Sequence, residues 1–297
     1  MDSYAAPAQV LVDTMLAAAA RDPARAVAFQ GAPGAYSHQA VREAYPEAAP
    51  LPCFSFEDAL EAVQAGRAAQ AMIPIENSLH GRVADVHFLL PESGLSIVGE
   101  HFVRVRHCLL GVPGSTREHV REALSHPQAL GQVRRRLAAW NIAARTHTDT
   151  AGAAAQVAAA GDPARAAVAS ALAGQLYGLD ILAENIEDAP HNTTRFVVLA
   201  RDAAPPPPGV PLMTTLMFEV RSIPAALFKA LGGFATNGVN ITKLESYLRD
   251  GSFSAAEFYA DIEGAPGDAN VALALDELRF HTSWVRVLGT YPQARVR

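Results

Sequence analysis

The chain has 297 residues; 50% are hydrophobic, 18% are charged, and the formal net charge is −6. That length and balance leave room for two domains, each with its own core. Both charge signs are interspersed and no Lys/Arg run exceeds the three residues Arg134 to Arg136, which argues against nucleic acid or an anionic membrane as partner, and no apolar run reaches the ~20 residues of a membrane span.

In chain order, residues 1–24 read as an N-terminal extension, either a short helix or a loose segment. Asp2 and Asp13 stand where a signal peptide needs basic residues, and an Arg-rich, Ser-rich transit peptide does not fit. Ala26-Val27-Ala28-Phe29 predicts a strand, and residues 36–44 a helix. A helix over 56–65 puts Phe56, Leu60 and Val63 at core spacing. A strand at 71–75 follows, then a helix over 128–140, a strand near Ile142, a helix over 150–160 and a strand at 166–168. Segments 179–183 and 195–199 close a first domain over 25–202. Alternating β and α elements imply an α/β domain with a mostly parallel sheet.

Four consecutive prolines, Pro205 to Pro208, make a stiff spacer, so 203–211 reads as a Pro-rich linker. The second domain, 212–297, has a different rhythm. A strand to Val220 precedes a helix with Leu227, Ala230, Leu231 and Phe234 on one face. A strand to about Tyr247, a hairpin turn at Arg249-Asp250-Gly251-Ser252, a strand from Phe253 to Ile262, a helix to about Arg279 and a strand over 282–288 complete it. The order βαββαβ is a ferredoxin-like unit.

In α/β sheets, ligands bind beyond the carboxyl ends of strands, where helices begin. The loop from Gly31 to Ser37, the Glu76-Asn77-Ser78 turn, Ser125-His126-Pro127, Asp149-Thr150 and Ser170 all lie at such junctions. Small hydroxyl residues there are ordinary helix caps. Five junctions of one kind make a cleft for a small polyanion plausible. The lysines are Lys229 and Lys243, so the first 228 residues offer neither a P-loop nor a Schiff-base lysine. Anions there must be held by arginine, hydroxyls or backbone amides. Cys53 and Cys108 are far apart, which favours a reducing, cytoplasmic setting. No Gly-x-Ser-x-Gly, His-Glu-x-x-His or Cys-x-x-Cys pattern occurs, and Gly31 to Gly34 lacks the third glycine of a dinucleotide fingerprint. His107 and Cys108, on an apolar stretch, read as core residues.

Three segments then carry a resemblance. They are Gly31-x-x-Gly34-x-Tyr36-Ser37, Ile73-Pro74-Ile75-Glu76-Asn77-Ser78-x-x-Gly81, and Asn192-x-Thr194-Arg195-Phe196. With Ser125-His126-Pro127-Gln128-Ala129-Leu130-x-Gln132 and Ala169-Ser170 between them, they resemble prephenate dehydratase from about Val27 to Leu199, in the family's order and spacing. The resemblance implies a two-lobed fold similar to periplasmic binding proteins, with the site in the cleft. The chain would cross between lobes near 101–110 and return near 186–192. It implies a lyase of L-phenylalanine biosynthesis that expels CO2 and the ring hydroxyl of prephenate, leaving phenylpyruvate. Aromatisation drives the step, so neither metal nor cofactor is implied.

Roles follow from the same resemblance. Thr194 would donate to the leaving hydroxyl, with Arg195 or a bound water polarising it. Glu76 and Asn77 would bind that hydroxyl or orient the substrate. Tyr36 and Ser37 would line the cleft, with Phe196 beside Thr194. Ser78, Ser125, Gln132, Thr150 and Ser170 would contact the carboxylates or the ring.

The second domain resembles an ACT domain of the dehydratase type through Ala225-Ala226-Leu227, Asn237-x-Val239-Asn240 and Glu245-Ser246. That implies L-phenylalanine as effector at those residues, and a homodimer or homotetramer. Ala225 stands where the family has glycine, and Tyr247-Leu248 where it reads Arg-Pro. Two rivals are arogenate dehydratase, whose substrate carries an amino group in place of the keto oxygen, and a non-catalytic amino-acid sensor. The lack of a transit peptide leans toward prephenate, and the Asn77 and Thr194 motifs argue against the sensor.

Overall fold

The computed structural model describes residues 4–221, 223–248 and 256–295. The predicted turn at Arg249 to Ser252 and the strand start at Phe253 lie outside them. The first elements are α1 (Ala6–Arg21), β1 (Ala26–Gln30), α2 (Tyr36–Ala44), β2 (Ala49–Cys53), α3 (Phe56–Gln64), β3 (Gln70–Asn77), β4 (Gly81–Arg82), α4 (Ala84–Glu92) and β5 (Ser96–Arg104). Next come β6 (Cys108–Gly111), β7 (Glu122–Ser125), α5 (Pro127–Gln132), α6 (Arg134–Ala139), β8 (Ala143–Thr146), α7 (Thr150–Ala160), β9 (Arg165–Ala169), α8 (Ala171–Tyr177), β10 (Asp180–Ala183) and β11 (Thr193–Ala200). The last are β12 (Leu212–Val220), α9 (Ala226–Thr236), β13 (Ile241–Leu248), β14 (Ala256–Glu263), α10 (Ala269–His281) and β15 (Thr282–Pro292).

The chain divides into two compact units, Met1–Leu89 with His101–Phe196, and Leu90–Glu100 with Val197–Arg297. This partition differs from a cut at the prolines, because Leu90–Glu100 joins the second unit. Arg286 donates to the Pro91 carbonyl, and the Ala294 amide to Glu100 Oε1 at 3.1 Å. Neither bond has a local sequence signature.

Two sheets build the lobes. The first runs β2-β1-β3-β11-β5, with β4 on β3. Its β1 is parallel to both β2 and β3, and Ala26, Val27, Ala28 and Phe29 are all buried. A strand covered on both faces reads as an unbroken apolar run. The second sheet runs β10-β6-β9-β7-β8. Here β7 is parallel to β8 and β9, whereas β6 is antiparallel to β9 and β10. The sheet is therefore mixed, not mostly parallel. Strand β6 arrives directly from the other lobe, so no crossover helix forces it parallel. The two crossings run side by side: Val105 N donates to Asn192 O and Ile186 N to His107 O, each at 3.0 Å.

Within the N-terminal extension the described residues form a helix: α1 buries Ala8, Val12 and Ala19 against β2 and α7, and Tyr4 stacks on Phe54 with ring centroids 4.2 Å apart. One local expectation needs correction. The helix expected over 128–140 is two short helices. The Asp188 amide takes the Gln132 carbonyl at 2.7 Å, and Asp188 Oδ2 accepts from Arg135 N at 3.0 Å. The returning crossing thus occupies the bonds a continuous helix would have made.

In the second unit, β13-β14-β12-β15 form an antiparallel sheet in βαββαβ order. Helices α9 and α10 bury Ala230, Phe234, Val271, Leu275 and Leu278 against Leu216, Phe218 and Ile262. Ala225, before α9, has φ 61° and ψ 19°, the left-handed region. A Cβ there costs ~1–2 kcal/mol, and glycine's looser unfolded chain returns only ~0.5–1 kcal/mol of that. Ala225→Gly should therefore stabilise the protein by up to about 1 kcal/mol, read from the urea midpoint.

Candidate active site

A cavity of about 430 Å³ lies within the first unit. Phe56, Pro74, Val83, Val105 and Phe196 supply apolar walls. Tyr36, Ser37, Asn77, His107, Gln132, Thr150 and Thr194 also border it. That size and mixture suit a small organic molecule. No arginine or lysine is among the described lining residues, and Asp149 is the lining carboxylate.

One hydrogen-bonded chain runs through much of the polar wall. Asn77 ends β3, which turns through a tight hairpin into β4, with Glu76 opposite Arg82 and Asn77 opposite Gly81. This is a hairpin, not the expected strand-to-helix turn. Asn77 Oδ1 accepts from Leu79 N at 2.9 Å and His80 N at 3.1 Å, which fixes the orientation of its amide. Its two amide hydrogens go to Asn192 Oδ1 at 2.7 Å and Thr194 Oγ1 at 3.0 Å. Thr194 accepts there, so its own proton is left for a group in the cavity.

The chain continues from Asn192 Nδ2 to Gln132 Oε1 at 2.8 Å, and from Gln132 Oε1 to His107 Nε2 at 2.6 Å. The Tyr36 hydroxyl lies 2.9 Å from His107 Nδ1 and 2.8 Å from Arg106 O, two acceptors that share its single proton. Burial pushes the His107 imidazole below its ordinary range and the Tyr36 phenol well above its own. The ring is therefore neutral: Nε2–H serves Gln132, and Nδ1 is an acceptor for Tyr36. His107, expected to be a core residue, is buried but links the two lobes. Asn192, which sequence reasoning left without a role, is the other link. Only its place in the third motif signalled it.

The first loop is pinned by the second lobe. Ser170 Oγ donates to Gly34 O at 2.6 Å, and Tyr177 OH to Pro33 O at 2.7 Å. Gly34 has φ +95°, and a Cβ there would lie 2.7 Å from Ala173 Cα. This seats the start of α2 at the cavity, where Ala35 caps the helix without a side-chain bond. The uncapped first amides suit an anion.

The expected site residues divide. Tyr36, Ser37, Asn77, Gln132, Thr150, Thr194 and Phe196 come together at the cavity. Glu76 and Arg195 do not line it. They alternate with Asn77 and Thr194 along β3 and β11, and pair with each other at 3.0 Å, with Arg195 3% exposed. Arg195 is thus a buried partner of Glu76, not a polariser of Thr194. Ser78 latches β3 to the returning chain, donating to His191 O at 2.8 Å and accepting from Thr193 N at 3.0 Å. Ser125 is buried and donates to Val168 O. Ser170 caps α8 through Ala173 N at 3.1 Å besides holding Gly34. Asp149, rather than Thr150, caps α7 through Gly152 N at 2.6 Å. Burial holds His126 low against the pull of Asp149.

In the second unit, Ala225, Ala226 and Leu227 open α9, and Asn237 closes it. Asn237 Nδ2 donates to Gly233 O at 2.8 Å and Glu277 Oε1 at 3.1 Å. Val239 is buried and Asn240 is exposed just beyond. Glu245 and Ser246 lie on β13, where Glu245 accepts from Lys243 Nζ at 2.7 Å and Tyr247 OH at 2.9 Å. The residue in place of the family's arginine is thus engaged with Glu245.

Comparison with known proteins agrees with this geometry. The family model described as prephenate dehydratase matches residues 27–204. The chain is 53% identical over 274 residues to a bifunctional N-acyl-homoserine lactone acylase/prephenate dehydratase of Komagataeibacter europaeus, covering 92% of this chain and 98% of that protein. It is 41% identical to the chloroplastic arogenate dehydratase/prephenate dehydratase 1 of Arabidopsis thaliana, covering 91% of this chain and 73% of that protein. The crystal structure of prephenate dehydratase in complex with L-Phe from Arthrobacter aurescens superposes with TM-score 0.83 at 30% identity, covering 91% of this chain and 90% of that one.

Gly34→Ala should cost about 1–3 kcal/mol through its backbone conformation, with the contact to Ala173 added. Gly81 is the control, since it has φ +73° but nothing within 4 Å of a Cβ. Urea denaturation should show Gly34→Ala losing clearly more than Gly81→Ala.

Proposed function

The chain belongs to the prephenate dehydratase family of hydro-lyases, and from that premise we propose that the cavity carries out the decarboxylative dehydration of prephenate to phenylpyruvate, a step in making L-phenylalanine. The same ring chemistry on arogenate would give phenylalanine directly. The observation that carries the reading is the bond from Asn77 Nδ2 to Thr194 Oγ1 at 3.0 Å. It makes Thr194 an acceptor on one side and leaves its O–H as a donor into the cavity.

A ring hydroxyl seated on Thr194 receives that hydrogen bond as its C–O bond breaks. The electrons come from the bond to the departing carboxylate, CO2 leaves, and the ring becomes aromatic. The hydroxyl departs as water once it has taken up a proton. Asn77, held by Leu79 N and His80 N, is already oriented and need not reorganise. Phe56, Val83, Val105 and Phe196 keep the ring in place and water out. With no arginine or lysine among the described lining residues, the carboxylates would meet amides such as those opening α2.

The acylase activity in the Komagataeibacter relative's name calls for a nucleophile beside a base. Thr148 borders the cavity with its hydroxyl 3.4 Å from His147 Nδ1, beyond the ~2.6–3.2 Å reach of a nucleophile–base pair, and that nitrogen also lies 3.0 Å from Asp149 O. The dehydratase reading therefore stands first.

For the second unit we propose an ACT-type regulatory role, with L-phenylalanine bound near Ala225 to Leu227, Asn237 to Asn240 and Glu245-Ser246, in an assembly of at least two chains. The support is the βαββαβ order together with the ligand named for the Arthrobacter structure.

Thr194→Ala should lower kcat/KM for phenylpyruvate formation by ~10²–10⁴-fold while thermal unfolding is unchanged, and Thr194→Ser should recover much of the loss. Half the wild-type rate in Thr194→Ala would remove Thr194 from the chemistry. Calorimetric titration with L-phenylalanine should show binding that a substrate analogue weakens by ~5–150-fold, and phenylalanine should weaken the analogue equally. No heat, with full activity at saturating phenylalanine, would leave the second unit without an effector role.

A further inference from the structure

We propose that Asp149 reads the substrate's side chain by receiving the ammonium group of arogenate, so that the cavity that turns over prephenate turns over arogenate more efficiently, an inference that rests on the dehydratase reading above. Prephenate and arogenate share the ring, the ring carboxylate, the side-chain carboxylate and the hydroxyl. They differ at one atom position, a ketone oxygen in one and an ammonium in the other. A site separates them only through a group that treats those two ends differently.

Asp149 is the one carboxylate among the described lining residues, and no arginine or lysine is there to neutralise it. Three histidines also line it: burial holds His107 and His126 on the neutral side, and His80 stands at the β3–β4 hairpin, its backbone amide donating to Asn77 Oδ1 at 3.1 Å. The Thr194 donor stands on β11 of the first lobe, whereas Asp149 opens α7 in the second, flanked by Thr148 and Thr150. A substrate with its hydroxyl on Thr194 carries its side chain on the opposite ring carbon, away from that donor and toward the other lobe.

The carboxylate has spare capacity. Oδ1 caps α7 by accepting from Gly152 N at 2.6 Å, and Oδ2 has no donor among the described residues. The cap alone needs one neutral acceptor, which serine or asparagine would supply as well. A negative charge with an unused lone pair, facing a cavity that must hold two substrate carboxylates, is repulsive unless the substrate brings a cation. An ammonium offers both the charge and three donors, and a ketone offers neither.

The test compares wild type with Asp149→Asn and Asp149→Ser, which keep an acceptor for the α7 cap and remove the charge. For each protein, kcat/KM is measured with arogenate, as phenylalanine formed, and with prephenate, as phenylpyruvate formed. Wild type should favour arogenate. Both variants should lower the arogenate-to-prephenate ratio by about tenfold or more, with arogenate turnover falling and prephenate turnover rising. An unchanged ratio in both variants, or a parallel loss on both substrates with a lower melting point, would reduce Asp149 to a helix cap. A wild type that prefers prephenate would also overturn the proposal. Turnover of neither substrate by wild type would instead sink the dehydratase reading, and this proposal with it.

Discussion

The amide of Asn77 has its carbonyl oxygen committed to two backbone amides and both hydrogens committed to side chains. The hydrogen-bonded chain along the cavity follows from that commitment. One hydrogen turns Thr194 into a donor; the other starts a chain through Asn192, Gln132 and His107 to Tyr36. Those residues come from both lobes and both crossings. Each neutral bond is worth only about 1 kcal/mol net, yet cutting one leaves a partly buried partner unsatisfied at ~1–3 kcal/mol. The arrangement therefore holds together or loosens as a group. No ion pair belongs to this chain of bonds, so a bound anion has none there to disturb.

Much of the fold was legible from residue order. Helix 150–160 and the start of α2 at Tyr36 could be read because turn residues stop the apolar pattern abruptly there. The βαββαβ order came from a change in period after the prolines. Strand β6 was harder. It is four residues long, it adjoins a crossing, and its partners β9 and β10 are distant in sequence. The break between α5 and α6 was invisible, because it is imposed by Asp188 reaching back from the returning crossing.

The site was legible in its motifs but not in its faces. Glu76-Asn77 and Thr194-Arg195 are adjacent pairs, and a strand sends neighbours to opposite sides. A motif string does not say which member looks into the cavity; the Arg195–Glu76 pair shows that the charged members look away. The hydroxyls posed a similar ambiguity. Ser125 and Ser170 sit at helix starts beyond strands, as ligand contacts do, but their partners are Val168 O and Gly34 O. Asp149 was overlooked because N-cap aspartate is so common, and it took the cavity's lack of other charge to single it out.

Thr194 meets Asn77 across 117 residues of sequence, and β11 takes its place beside β3 only after the whole second lobe has been made. A chain emerging from the ribosome therefore carries β3 as an open sheet edge while β6 to β10 are still being synthesised. Open edges are where unfinished chains recruit the wrong strand. Here Pro74 falls within β3, and a proline has no amide to offer an incoming strand. The same residue that walls the cavity in the finished protein can thus act earlier as a guard, keeping the place of a strand that has yet to be translated.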